Sequence, residues 1–256
     1  MNPLAEHGFA RAAEAYALAR PSYPREAVDL LRRELALGPQ SVVLDLAAGT
    51  GKLTELLTGF ARVIAVEPIA EMREALARLP FVEARDGRAE AIPLEDRAVD
   101  AVLVAQAFHW FATPLALGEI HRVLRPGGGL GLLWNRWDRR VAWADAVKAL
   151  TAPYDALRPQ YETGGWKAAF ENQGLFGPLH LVEIENRHHL AREQVLDRVA
   201  STSSVALLEP AERDALFRKV REVLETHPET RGRAELDVPY LTEVWWTRKL
   251  AGPTPG

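Results

Sequence analysis

The stretch Val42-Val43-Leu44-Asp45-Leu46-Ala47-Ala48-Gly49-Thr50-Gly51 places a carboxylate near the end of an apolar run, before a loop of small residues. Gly49 and Gly51 permit a tight turn and let a ligand approach the backbone closely. A second carboxylate, Glu67, ends the next apolar run and is followed by Pro68. An acid at that point, about twenty residues on, can accept both hydroxyls of a ribose. Asp86-Gly87 and Ala89-Glu90 follow a third run, where they would flank an adenine. Gln106 ends a fourth, with His109 and Trp110 immediately after it, and Trp134, Arg136 and Trp137 belong to the end of a fifth. The residue types therefore suit a nucleoside cofactor next to an organic acceptor.

Two such cofactors compete. A dinucleotide would set its pyrophosphate on the loop, but its G-x-G-x-x-G fingerprint lacks the third glycine here. Asp45 also opposes a pyrophosphate, because like charges repel. S-adenosylmethionine carries an ammonium and a sulfonium, and an acid beside the loop suits it directly or through a bridging water.

The elements that must position these groups alternate. Apolar strands are expected at "SVVLDLA", "ARVIAVEP", "FVEARDG", "VDAVLVAQAFHWF" and "LGLLWNRW". Helices are expected at "PREAVDLLRRELALG", with Ala27, Leu30, Leu31 and Leu35 on one face, and at "KLTELLTGF". Two more fall at "AEMREALARLP" and "LALGEIHRVLRPGGG", the last with Leu117, Ile120 and Leu124 aligned. The strands show no period of two, so both faces of a parallel sheet should be covered. Beyond residue 136 a strand, two helices and a strand with Pro239 at an edge or bend are expected. The expectation is an α/β, Rossmann-like, mostly parallel seven-stranded sheet with helices on both faces and a helical insertion before the last strand. Residues 1-256 would form one domain: 1-38 a lid with helices, 39-135 the cofactor-binding core, and 136-256 the substrate-side helices and closing strands.

Composition narrows the class. The 256 residues include no cysteine, which excludes disulfides, thiolate catalysis and Cys-ligated zinc. The net charge of −4 gives no electrostatic invitation to nucleic acid or anionic lipid. No apolar run is long enough to span a bilayer, and the N-terminus has no signal-peptide core. A cytoplasmic monomer or homodimer acting on a small molecule is expected, with no nucleic-acid partner. His188 and His189 would split across a strand, so no metal site is expected.

In this order, D-x-A-x-G-x-G, "VIAVEP", "RDGRAEAIPLEDRAVDAV" and "LRPGGGL" resemble class I S-adenosylmethionine-dependent methyltransferases, strongly over residues 40 to 135. "YALARPSYP", "AQAFHWF" and "HRVLRPGGGLGLLWN" further resemble the trans-aconitate methyltransferase-like branch. That resemblance implies seven strands with the last antiparallel, an N-terminal segment carrying Tyr16 and Arg20 over the cofactor, and His109 and Trp110 facing cofactor and acceptor. The chain departs from the branch at Ala47, where a glycine often stands.

The residues thus fall into roles. Cofactor contacts are expected from Tyr16, Arg20, Asp45, Ala47, Gly49, Gly51, Glu67, Pro68, Asp86, Gly87, Ala89, Glu90 and Gln106. Trp110, Trp134, Arg136 and Trp137 are expected to face the acceptor, arginine being suited to a carboxylate. His109 is the candidate catalytic group, as a general base or as a positioning residue. The reaction expected is methyl transfer to the oxygen of a carboxylate or hydroxyl. A non-catalytic protein that binds the same cofactor and an NAD-dependent oxidoreductase are the rivals.

Overall fold

The computed structural model describes residues 20–155, 163–202 and 204–251. Seven strands form one sheet: β1 (Val42–Leu46), β2 (Arg62–Val66), β3 (Val82–Arg85), β4 (Val99–Ala105), β5 (Leu124–Trp137), β6 (His180–Ala191) and β7 (Glu235–Arg248). Their spatial order is β3-β2-β1-β4-β5-β7-β6. The sheet is mixed, because β7 runs antiparallel to both of its neighbours. Helices α1 (Arg25–Glu34), α2 (Ala70–Leu76), α3 (Pro114–Val123), α4 (Ala142–Asp155), α5 (Gln194–Ala200) and α6 (Pro210–Thr226) pack around it, the last two lying between β6 and β7. Among the described residues no helix is long and apolar enough to cross a membrane.

The uninterrupted apolar strands reflect burial on both faces. Leu44, Leu46, Val102, Val104, Leu130 and Leu132 pack under α3 with Leu117 and Ile120. Their alternates Val43, Ala101, Leu103 and Leu133 pack under α1 with Ala27, Leu31 and Leu35. A third cluster joins Trp137 and Tyr240 to α4, α5 and α6. Thr113 caps α3, its hydroxyl accepting the Ala116 N–H at 3.2 Å, and Pro114 occupies the first turn.

Several elements differ from expectation. The expected helix at "KLTELLTGF" is a single 3₁₀ turn, Thr54–Leu56. Left-handed Gly51 (φ 95°) and Gly59 (φ 81°) bracket it and confine any helix to the short segment between them. Helix α1 ends at Glu34, because Ala36 (φ 54°) reverses the chain ahead of Gly38. Leu124 opens β5 rather than closing α3. Pairing then jumps from Val99–Leu124 to Ala101–Gly129, so Pro126 and left-handed Gly127 sit in a bulge inside the strand. Pro239 is not at a sheet edge, since β7 lies between β5 and β6. Its carbonyl accepts the Asp138 N–H at 3.0 Å, just beyond the end of β5. Its nitrogen faces the same side, away from β6, so the missing donor falls beyond the paired residues of β5 and costs β7 no bond to β6.

Close packing of α1 on the sheet depends on bare backbone in β5. A Cβ at Gly129 would lie 2.5 Å from Leu35 Cδ2 and 2.9 Å from the Thr247 carbonyl oxygen. The backbone oxygen cannot swing aside, so Gly129→Ala is expected to destabilise the protein by about 1–3 kcal/mol. Chemical denaturation measures this, and an unchanged midpoint would contradict the packing.

Candidate functional site

Strand order reverses between β1 and β4, which pair directly through Asp45–Leu103 and two preceding pairs. Connections leave the sheet in opposite directions at such a point and open a crevice beyond the carboxyl ends of the strands. Both strands here end on a residue in the left-handed region: Ala47 (φ 57°) after β1 and Gln106 (φ 57°) after β4. Neither is glycine, and such backbone costs about 1–3 kcal/mol per residue where it is held. Each turns its chain sharply away from the sheet, and both line the resulting cleft of about 990 Å³, counting the part open to solvent.

The loop after β1 forms one wall. The Ala48 N–H donates to the Val66 carbonyl at 3.2 Å, and the Gly51 N–H to the Ala48 carbonyl at 3.0 Å. Glu67, only 4% exposed, fastens this loop to the end of β2. Its Oε2 accepts the Gly49 N–H at 2.9 Å and its Oε1 the Ile69 N–H at 3.0 Å. Burial pushes its pKa up, and the two N–H donors and Arg73 oppose that push. A carboxylate oxygen that accepts one bond keeps further lone-pair capacity. Glu67 also lines the cleft, and each oxygen keeps lone-pair capacity beyond its backbone bond.

Asp45 lies deeper. It is fully buried and outside the lining; its Oδ2 accepts the Thr54 hydroxyl at 2.6 Å, and its Oδ1 has no hydrogen-bond partner. Burial, reinforced by the charge of Glu67, lifts its pKa to about 7, against the lowering effect of Thr54.

The opposite wall comes from the segment before α1. Asn135 on β5 donates from Nδ2 to the Ser22 carbonyl at 3.2 Å, and Asn186 on β6 donates to the same oxygen at 2.8 Å. Thr242 donates to Asn135 Oδ1 and fixes the orientation of that amide. These bonds staple the segment across the sheet and bring Arg20, Pro21 and Tyr23 to the cleft. Ile69, Met72, Trp110 and Phe111 add apolar surface, and Lys52 and Arg198 add cations.

Of the residues expected from sequence, Arg20, Ala47, Gly49, Glu67, Gln106 and Trp110 meet at this cleft. Gly51 stands beneath it, where a Cβ would touch Leu76 at 3.0 Å. Pro68, Gly87, Ala89 and Glu90 lie outside the lining; Asp86 also does, its side chain 72% exposed and paired with Arg73. Tyr16 falls outside the described residues. Gln106 spends its amide on the Asn135 carbonyl at 2.9 Å, a structural bond that also holds the end of β4.

His109 is largely buried and just off the lining. Its Nδ1 accepts the Trp134 Nε1–H at 3.2 Å, so the neutral ring carries its proton on Nε2. Burial, with help from the Arg20 charge, holds its pKa down at about 4. Trp134 is fully buried, packed on Trp166. Arg136 and Trp137 point elsewhere. Arg136 pairs with Glu183 and with Glu243, the latter at 2.7 Å, while Trp137 packs against Trp143 and Tyr240. These three therefore stay outside the cleft, because β5 continues to residue 137 and its neighbours claim the side chains.

Arg198 was missed. Its signal is faint but present: on α5 it falls among buried Val195, Leu196 and Val199, a cation where the helical period places an apolar residue.

Residues 44–132 match the methyltransferase domain family. An uncharacterized methyltransferase of Mycobacterium tuberculosis (strain H37Rv) is 40% identical over 238 residues, covering 91% of this chain and 92% of the relative. A methyltransferase-like protein of Schizosaccharomyces pombe is 35% identical over 237 residues, with 91% and 92% covered. A crystal structure of a candidate methyltransferase from an antibiotic biosynthesis pathway of Anabaena variabilis superposes with a TM-score of 0.61 at 26% identity, covering 86% of this chain and 96% of that one. Similarity along nearly the whole chain, together with the acid-anchored loop at the switch point, decides against an oxidoreductase or a bare binding scaffold. The chain belongs to the class I S-adenosylmethionine-dependent methyltransferases.

Proposed function

We propose that the cleft between β1 and β4 seats S-adenosylmethionine and that the enzyme methylates an oxygen of a small acceptor, a carboxylate or a hydroxyl. The observation that carries this is the carboxylate of Glu67, which lines the cleft while fastening the glycine loop. The cofactor supplies a methyl group on a sulfonium, which a nucleophile removes by in-line displacement.

The residues present fit that group. Glu67 accepts the ribose hydroxyls with the lone pairs its backbone donors leave open. The unpartnered Oδ1 of Asp45 accepts an ammonium, directly or through one water. Arg20 offers its guanidinium to the methionyl carboxylate. Met72 and Ile69 give the base an apolar bed. The segment Arg20-Pro21-Ser22-Tyr23-Pro24, which lines the cleft at three positions, supports the trans-aconitate methyltransferase-like branch.

His109 acts as a donor through Nε2–H rather than as a base. Its acceptor nitrogen is occupied by Trp134, and its pKa near 4 makes it a weak proton acceptor. A carboxylate acceptor needs no base, and much of the acceleration can come from alignment alone.

Three outcomes follow. In calorimetry, Glu67→Ala and Glu67→Gln should each weaken S-adenosylmethionine binding by about 1–3 kcal/mol. The glutamine fares no better because its amide presents N–H to a backbone N–H. Unchanged affinity in a folded variant would remove Glu67 from the site.

For Asp45 the sign is set by burial. The unfolded chain loses this proton near 3.8 and the folded protein keeps it to about 7, so stability falls as pH rises between those values. An ammonium beside Oδ1 lowers the folded pKa, and binding near pH 6.5 should therefore release protons. Calorimetry in buffers of different ionisation enthalpy reads the release, which Asp45→Asn should abolish; equal release in the variant contradicts the pairing.

Finally, once an acceptor is in hand, kcat/KM should show no ionisation of His109 between pH 5.5 and 8, and His109→Ala should lower it evenly across that range. A limb near 6.5 that vanishes in the variant would establish a base instead.

A further inference from the structure

Arg198 is 5% exposed, yet it lines the cleft. Its Nε donates to the Tyr240 hydroxyl at 2.7 Å, and its Nη1 lies 3.4 Å from the hydroxyl oxygens of both Ser201 and Thr202. These partners are all neutral, and among the described residues no carboxylate pairs with it. The guanidinium also lies over the rings of Trp137 and Tyr240, at 6.0 and 5.7 Å. A buried cation without a counter-charge is costly and ordinarily finds an anion.

Its surroundings add positive charge. Arg20 donates to the Ser201 carbonyl at 2.8 Å, so two guanidiniums converge on one residue. Lys52 lines the same cleft. His188, whose buried Nδ1 has no hydrogen-bond partner, has its pKa lowered first by burial and then by Arg198 and Lys52. The acidic side of the cleft is Glu67, with Asp45 behind it. The proposed cofactor brings a single carboxylate, for which Arg20 is the proposed partner.

We infer that Arg198 is a specificity-determining residue that grips an oxyanion handle of the methyl acceptor, separate from the atom that is methylated. A guanidinium clasping the reacting oxygen would draw off its lone pair and slow attack on the methyl group. Clasping a second group instead orients the acceptor at no such cost. The rigid mounting on Tyr240, Ser201 and Thr202 suits a planar fork held in one direction. This inference rests on the proposed cofactor seat.

The test uses the whole protein saturated with S-adenosylhomocysteine and titrated calorimetrically with glutarate, benzoate, phenyl phosphate and uncharged benzamide. At least one oxyanion should bind and benzamide should not; the preference between benzoate and phenyl phosphate separates a carboxylate handle from a phosphate. Arg198→Gln should weaken oxyanion binding at least tenfold while S-adenosylhomocysteine affinity stays within twofold, and Arg198→Lys, which keeps the charge and guards against misfolding, should fall between. Oxyanion binding that survives Arg198→Gln, binding of benzamide as tight as benzoate, or no oxyanion binding at all would overturn the assignment. A tenfold loss of S-adenosylhomocysteine affinity in Arg198→Gln would also overturn it, by giving Arg198 the methionyl carboxylate. Failure of S-adenosylhomocysteine to bind the unaltered protein would instead bring down the cofactor seat, and this inference with it.

Discussion

One carboxylate holds the site together. Glu67 takes the Gly49 N–H on one oxygen and the Ile69 N–H on the other, so the turn after β1 and the turn after β2 are fixed to a single planar group. Together with the Ala48 N–H bond to Val66, it holds the loop in which Ala47 adopts left-handed backbone against its own strain. The group is nearly buried, and burial opposes its charge; the two backbone donors and Arg73 offset that cost. The same residue thus stabilises the loop and leaves an anionic face toward the cleft.

The acids and the two arginines of the cleft come from different elements. The acids stand at the ends of β1 and β2, whereas Arg20 and Arg198 come from the N-terminal segment and α5. Asn135 and Asn186 make that arrangement possible by binding the Ser22 carbonyl from two different strands. The antiparallel β7 matters here, because it is the strand that places β6, and hence Asn186, beside the end of β5. His109 sits at the margin as a neutral ring, its tautomer set by the indole of Trp134.

The first half of the site was legible because its signals are local. An acid ending an apolar strand, a small-residue turn and a second acid about twenty residues later need no knowledge of distant partners, and Glu67 and Gly49 stand where that pattern puts them. The second half was not legible, for a physical reason. Arg136 looks available in the sequence, but its partners Glu183 and Glu243 lie 47 and 107 residues away and arrive only when β6 and β7 join the sheet. Trp137 looks like a pocket wall until α4 and Tyr240 cover it. Arg198, conversely, looks like one charge on a short amphipathic helix, and only the fold shows it buried beside the cleft. The helix expected after the loop failed because Gly51 and Gly59 limit the segment more than its leucines extend it.

A crystal structure of the protein with S-adenosylhomocysteine tests the central claim most directly. The account predicts the ribose hydroxyls within hydrogen-bond distance of Glu67, with the Gly49 N–H still donating to that carboxylate. Nucleoside density away from the turns after β1 and β2, or Glu67 swung out of the cleft and its loop rebuilt, would contradict it.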